Sequence, residues 1–375
     1  MTSTSTSTRA GAGDGGTELP GGVPGSLGAA RQRSEELERL IAREPQRFRV
    51  LTGDRPTGDL HLGHYFGTLH NRVRLQNAGA QLFVVIADYQ ALTDRDRADA
   101  LRERVRGLVL DYLATGTDPE RSVIFAHSAV PELNQLLLPF LSLVTQPELQ
   151  RNPTVKDEIA HSRQASVSGL MLTYPVHQAA DILFVKGNLV PVGQDQLPHV
   201  EVTRLVARRF NERYPGAGGA AVFPEPDALL SDAPLLLGTD GGKMSKSRGN
   251  AITLRATADE TARLIRGART DAVRQVSYDP VNRPEVSSLV LLAALCLGRD
   301  PVSVAEEIGG GGAARLKRTV TDAVNQRFAP ARARRAERAA DPGYAGQVLR
   351  DGRDRAREVA AATLDEVRDA MGTRY

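Results

Sequence analysis

One cysteine, Cys296, occurs in 375 residues, so no disulfide can form within the chain. No apolar run approaches the roughly 18 residues of a membrane-spanning helix, and no membrane association is expected. The N-terminus lacks a basic segment followed by an apolar core, so no secretory signal is expected. No Cys/His cluster has the spacing of a structural zinc site. The net charge is only +3, which does not by itself argue for nucleic acid. A reducing, cytoplasmic setting fits these absences. The remaining composition, 41% hydrophobic and 25% charged, is that of a globular chain long enough for two domains.

Residues 1 to about 28 are Ser/Thr rich and then Gly/Pro rich, and they are expected to be disordered because they cannot bury enough surface to offset ordering. Ala29 to Glu44 reads as a short charged helix. Three short apolar runs read as strands: Phe48–Thr52, Leu82–Ala87 and Ser122–Ala126. Helical patterns over about His61–Gln76 and Arg97–Ala114 separate them, so the first part is an α/β fold with a doubly wound parallel sheet. Helices follow over Pro131–Val144, Ser166–Leu183 and about Gln196–Phe210, with a return strand at Leu189–Val192. Beyond Ala256 only helices are expected, at about 257–267, 286–297, 313–328 and 344–370.

Two segments carry most of the chemistry. The first strand runs into the turn Gly53-Asp54-Arg55-Pro56-Thr57-Gly58, and His61-Leu62-Gly63-His64 then opens a helix. Ligands of a doubly wound sheet bind at the carboxyl ends of its strands, where a helix N-terminus also presents free N–H groups. His61 and His64 are three residues apart and share a face, while Gly63 leaves room for a base or ribose. About 180 residues later comes Lys243-Met244-Ser245-Lys246-Ser247 behind Gly241-Gly242. Its two lysines are charges on flexible stems, suited to a polyphosphate. Each segment alone is a common surface feature; together they suit the phosphates of one ATP.

A third constellation is Tyr174, Gln178 and Asp181, at i, i+4 and i+7 of one helix face. Asp181 lies in the apolar run Ala179-Ala180-Asp181-Ile182-Leu183, where a carboxylate must be paired or used. A fourth is basic: Ala313–Ala339 holds eight Lys/Arg against two acids, which reads either as a solvated helix face or as a surface for a phosphate backbone.

The histidine and lysine segments resemble the two signature motifs of class I aminoacyl-tRNA synthetases. Three stretches resemble the bacterial tryptophanyl type more narrowly: Leu51 to Tyr65, Leu172 to Leu183 and Val190 to Gln196. The resemblance implies a Rossmann-like catalytic domain over 46–254, a helical anticodon-binding region with a C-terminal helix over 255–375, and an extension at 1–45. It implies that tryptophan and ATP, with Mg²⁺, form an adenylate that is then transferred to tRNA(Trp) by a homodimer. In it, His61 and His64 contact the phosphates, and Lys243, Lys246 and Ser247 hold the departing pyrophosphate. Arg55, Thr57, Gly63, Gly193, Asp195 and Met244 count with ATP binding. Leu51, Gln90, Tyr174, Gln178, Asp181 and Gln196 count with tryptophan binding, Asp181 accepting the indole N–H.

The tyrosyl type shares this architecture and also carries Tyr-x-x-x-Gln-x-x-Asp, the pattern at 174–181. Leu51 separates the two, since it cannot hydrogen-bond a phenol and widens the pocket for an indole. Gln90 stands where many relatives have His, and it is expected to alter sensitivity to tryptophan analogues. A non-synthetase nucleotidyltransferase is a further alternative, although it would not need the helical region. The chain itself contains no tryptophan, most simply a chance omission of a rare residue.

Overall fold

The computed structural model describes residues 24–94, 98–161, 167–230, 236–245 and 248–375. The first element is α1 (Pro24–Arg43). It starts earlier than expected: residues 24–28, grouped above with the disordered stretch, are helical, and a proline is tolerated in a first turn. Residues 1–23 lie outside the described residues.

Five parallel strands form one sheet in the order β3-β2-β1-β4-β5. They are β1 (Arg49–Asp54), β2 (Gln81–Ile86), β3 (Ser122–Ala126), β4 (Leu189–Val192) and β5 (Asp227–Leu230). In register, Leu51 faces Phe83 and Phe83 faces Val123. Alternate residues feed opposite faces: Val50, Val84 and Ile124 join one core, while Leu51, Phe83, Val85 and Phe125 join the other. Burial on both faces explains why these strands read as continuous apolar runs.

The connections are helical. After β1 come α2 (Leu62–His64), a π turn over Tyr65–Leu69 and α3 (His70–Ala78). After β2 comes α4 (Ala98–Thr115). After β3 come α5 (Pro131–Asn134), α6 (Leu137–Leu141), α7 (Gln146–Arg151), α8 (Pro153–His161) and α9 (Gly169–Phe184). The single helix expected over 131–144 is broken, because Pro139 has no N–H to donate to the carbonyl of Gln135 four residues back. After β4 comes α10 (Leu197–Arg213).

The later helices are α11 (Ala258–Arg266), α12 (Pro284–Leu297), α13 (Pro301–Ile308), α14 (Gly312–Ala340) and α15 (Tyr344–Met371). α15 returns to the sheet. Its Gly352 lies against the backbone of Ile124, and Arg355 donates to the carbonyls of Pro119 and Ser122. At the other edge, Leu230 N–H donates to Ser34 Oγ of α1 at 2.9 Å, and Arg33 pairs with Asp227 at 2.7 Å. The first and last helices thus cover both sheet edges, which would otherwise present unpaired backbone groups. Much of the basic stretch on α14 is used internally. Arg335 reaches Asp111 at 2.7 Å, Arg334 the carbonyl of Ala114 at 2.9 Å, and Arg327 the hydroxyl of Tyr65 at 3.2 Å.

Candidate active site

A cavity of about 500 Å³ opens where β1, β2 and β4 end. Its floor and one wall come from β1 and the turn after it: Leu51, Thr52, Gly53, Asp54 and Arg55. Gly53 is obligatory there, since a Cβ would lie 2.3 Å from the carbonyl oxygen of Val85. His64 and the π turn, through Gly67 and Thr68, supply a second wall. The π turn inserts one residue into the helical ladder and re-aims the side chains after it. Thr68 Oγ1 ties it down by donating to the carbonyl of His64 at 3.0 Å. Tyr174, Gln178 and Asp181 of α9 form the wall opposite, and Gln90 lies beside Ala87 after β2. Gly193, Asp195 and Gln196, following β4, complete the rim.

Among the described residues singled out in the sequence, Thr57, His61, Gly63, Lys243 and Met244 do not line the cavity. His61 forms an isolated antiparallel bridge with Thr253, and its backbone N–H donates to His64 Nδ1 at 3.2 Å. The two imidazoles stack obliquely with ring centres 3.7 Å apart. Met244 is buried, and a Cβ on Gly63 would lie 3.7 Å from its sulfur. Leu62 N–H donates to the carbonyl of Ile252, and Leu254 N–H to that of Leu60. The lysine segment is therefore laced to the start of the histidine helix. Thr57 closes its own turn by an N–H bond to the carbonyl of Arg55, and Lys243 bridges back to Leu237 in a small hairpin. Lys246 and Ser247 lie outside the described residues.

Several functional neighbours were not anticipated. Arg72 is buried under the β1 terminus, donating to Thr52 Oγ1 at 2.9 Å, Asp54 Oδ2 at 2.7 Å and the carbonyl of Gly53 at 3.2 Å. Tyr112 donates to the same Asp54 oxygen at 2.7 Å. Burial alone would raise the Asp54 carboxyl, but the charge and hydrogen bonds of Arg72 outweigh it and hold the group below the usual range. Tyr174 shares a 3.2 Å hydrogen bond with His199 Nε2, and burial pushes His199 down to about 4. Asn250, also buried, staples the lysine segment: it accepts from Ser245 N–H at 2.8 Å and donates to Asp240 at 2.6 Å and the Lys243 carbonyl at 3.1 Å. Arg72, Tyr112 and His199 are single polar residues 18 or more positions from what they touch, so spacing gives no signal for them, whereas Asn250 acts within its own segment.

Asp181 has a partner as well as a place in the wall. His127 Nε2 lies 2.8 Å from Asp181 Oδ1, and both side chains are buried. The carboxylate is thus paired with His127, and it also lines the cavity.

A sequence profile for class I tRNA synthetases (W and Y) matches residues 43–329. The chain belongs to this family of aminoacyl-tRNA synthetases. It is 42% identical to a tryptophan--tRNA ligase of Clostridium longisporum over 87% of this chain and 97% of that protein. It is 44% identical to the Treponema pallidum tryptophan--tRNA ligase with the same coverage. Among solved structures, a tryptophanyl-tRNA synthetase from Campylobacter jejuni complexed with ADP and tryptophan superposes with a TM-score of 0.74 at 31% identity, over 86% of this chain and 99% of that one. A tyrosyl-tRNA synthetase from Archaeoglobus fulgidus reaches 0.62 at 25% identity. The tryptophan branch, favoured above on Leu51, is the branch of the curated relatives.

Proposed function

We propose that the 500 Å³ cavity is where tryptophan and ATP meet, and that the enzyme ligates L-tryptophan to tRNA(Trp) through an adenylate. The observation that supports this reading is the closeness of the two motif segments, a Cβ on Gly63 lying 3.7 Å from the Met244 sulfur, together with a pocket walled by His64, Leu51 and Asp181. A tryptophan carboxylate oxygen attacks the α-phosphorus of ATP, the bond to the bridging oxygen breaks, and pyrophosphate leaves. The 2′- or 3′-hydroxyl of the terminal tRNA ribose then attacks the acyl carbon, displacing AMP. No protein nucleophile is required. The rate comes from positioning and from stabilising charge on the transferring phosphorus.

His64 and Arg55, in the wall, face the phosphates, with His61 stacked behind His64. Lys243, Lys246 and Ser247 hold pyrophosphate as it departs. Gly193 and Asp195 meet the ribose and Gln196 the amino acid. Asp181 accepts the indole N–H, while Tyr174 and Gln178 face the α-amino group and Gln90 tunes access for substituted indoles. Asp54 and Asp181 already have cationic or imidazole partners, which leaves Asp195 as the remaining carboxylate lining the cavity. That ion fits as a companion of the triphosphate, neutralising its charge with few protein ligands.

Residues 46–254 with α15 form the catalytic unit in this reading, and α11 to α14 the anticodon-binding region. The protein acts in the cytoplasm as a homodimer, for which the exposed Leu138, beside half-buried Leu137 and Leu141, offers an apolar contact. The deciding experiment is exchange of labelled pyrophosphate into ATP, run with each of the twenty amino acids. Exchange supported by tryptophan is expected; exchange driven by tyrosine, or independent of any amino acid, would overturn the reading.

A further inference from the structure

His127 sits behind Asp181, fully buried and outside the cavity wall, on the short turn that follows β3. His127 Nε2 and Asp181 Oδ1 stand at ion-pair distance, 2.8 Å, and a carboxylate oxygen, which only accepts, attracts the imidazole there when that nitrogen is protonated. Burial alone would lower the His127 imidazole, but the Asp181 charge and hydrogen bond, with Asp88 adding, hold it above its ordinary value. Asp88 also fixes the turn that bears His127: it accepts from Ser128 N–H at 3.1 Å and from the Ser128 hydroxyl. A second imidazole, His177, stands 4.6 Å from the His127 ring and donates from Nε2 to Asn134 Oδ1 at 2.7 Å. Asn134 must accept there, because its amide nitrogen donates to the carbonyls of His127 and Val130. His177 is therefore held with its proton on Nε2, turned away from Asp181.

His127, His177 and Asp181 could also be taken for a metal triad, since their ligand atoms lie within 4.8 Å of one another. The 2.8 Å separation is that of an ion pair instead. Two ligands on one zinc at about 2.1 Å stand roughly 3.4 Å apart in a tetrahedral site.

We propose that His127 is a positioning residue for amino-acid selection, pinning one oxygen of Asp181 so that the other stays available as an acceptor for the indole N–H. The proposal rests on the reading of Asp181 as the indole contact. An Asp carboxylate turns readily about its terminal torsion, and an unpinned one loses both its direction and its bias toward accepting. The donor that fixes it comes from a different strand exit, so the selecting group is held between α9 and the end of β3.

Pyrophosphate exchange with tryptophan and with its benzothiophene analogue, in which sulfur replaces the indole N–H, tests this. The wild type is expected to prefer tryptophan. His127→Leu should reduce that preference about tenfold, through KM for the amino acid and with KM for ATP unchanged, as expected for a charged-group hydrogen bond that is weakened. His127→Gln, whose amide N–H can reach the carboxylate, should restore most of it. An unchanged preference in His127→Leu alongside a lost one in Asp181→Asn overturns the role of His127 alone. An unchanged preference in Asp181→Asn overturns the reading of Asp181 itself.

Nitrogen NMR of the wild-type protein gives a second readout that depends on no variant. The His127 Nε2 resonance should move when tryptophan binds and stay near its free position with the benzothiophene analogue; no difference between the two ligands overturns the proposal.

Discussion

A methyl group placed on Gly63 would sit 3.7 Å from the Met244 sulfur and 3.0 Å from the His61 ring. The first distance is ordinary contact, and the second is tight enough to force the imidazole aside. Gly63→Ala should therefore displace His61, and with it the stacked His64, while leaving the α9 wall alone. Pyrophosphate exchange is expected to fall on the order of 10- to 100-fold, the usual scale for small misplacements of a positioning group, with tryptophan affinity by equilibrium dialysis little changed. A normal exchange rate would separate the histidine spacing from catalysis.

Buried Arg72 and half-buried Asp54 form an ion pair in the lining of the cavity. Arg72→Leu strands the carboxylate and should destabilise the protein by about 3–5 kcal/mol, measured by urea unfolding. Asp54 is held below the usual carboxylate range, so its stabilising contribution is full above the ordinary aspartate value and is lost as pH falls through the lowered one. In Arg72→Leu the acid unfolding limb should move to higher pH, and adding Asp54→Leu should recover part of the stability.

His199 gives a pH dependence in a milder range. Its ordinary value of 6.5 is pushed by burial to about 4 in the folded protein. Between these limits the unfolded chain takes up a proton that the folded one refuses, so stability declines as pH falls. The loss amounts to ~3 kcal/mol at most, at about 1.4 kcal/mol per unit. His127, shifted upward, contributes with the opposite sign: its stabilisation is present at low pH and lost as pH rises through its raised value. Urea midpoints between pH 7 and pH 4.5 should fall less steeply for His199→Gln than for the wild type.

Gly352 has no room for a side chain, since a Cβ would lie 1.8 Å from the carbonyl oxygen of Ile124. Gly352→Ala must lift α15 away from β3. A loss of roughly 1–3 kcal/mol or more is expected, with added sensitivity to proteolysis at the C-terminus. An unaltered melting temperature would mean that α15 contributes little to the sheet edge.

Strands β1 to β4 were readable because each is a short apolar run buried on both faces, bounded by Gly, Pro or polar turns. β5 was not, since Asp227-Ala-Leu-Leu is four residues long and starts with a charge; only its pairing with β4 and the cover of α1 make it a strand. α13, absent from the helices expected beyond Ala256, does have a local signal: Asp300 accepts from Ser303 N–H at 2.9 Å as an N-cap, with Pro301 in the first turn. The expected site residues on the cavity wall came from motifs whose members are close in sequence. Arg72, His127 and His199 act through partners on other elements, which no local pattern reveals. The π turn after His64 has no sequence mark of its own either, although it directs Gly67 and Thr68 into the cavity.

Tyr65, one residue past His64, packs edge-on against Phe328 with ring centres 4.8 Å apart and takes a hydrogen bond from Arg327. α14 is therefore anchored to the histidine helix at Tyr65, so losing the Phe328 ring would also remove a support of the residue next to His64.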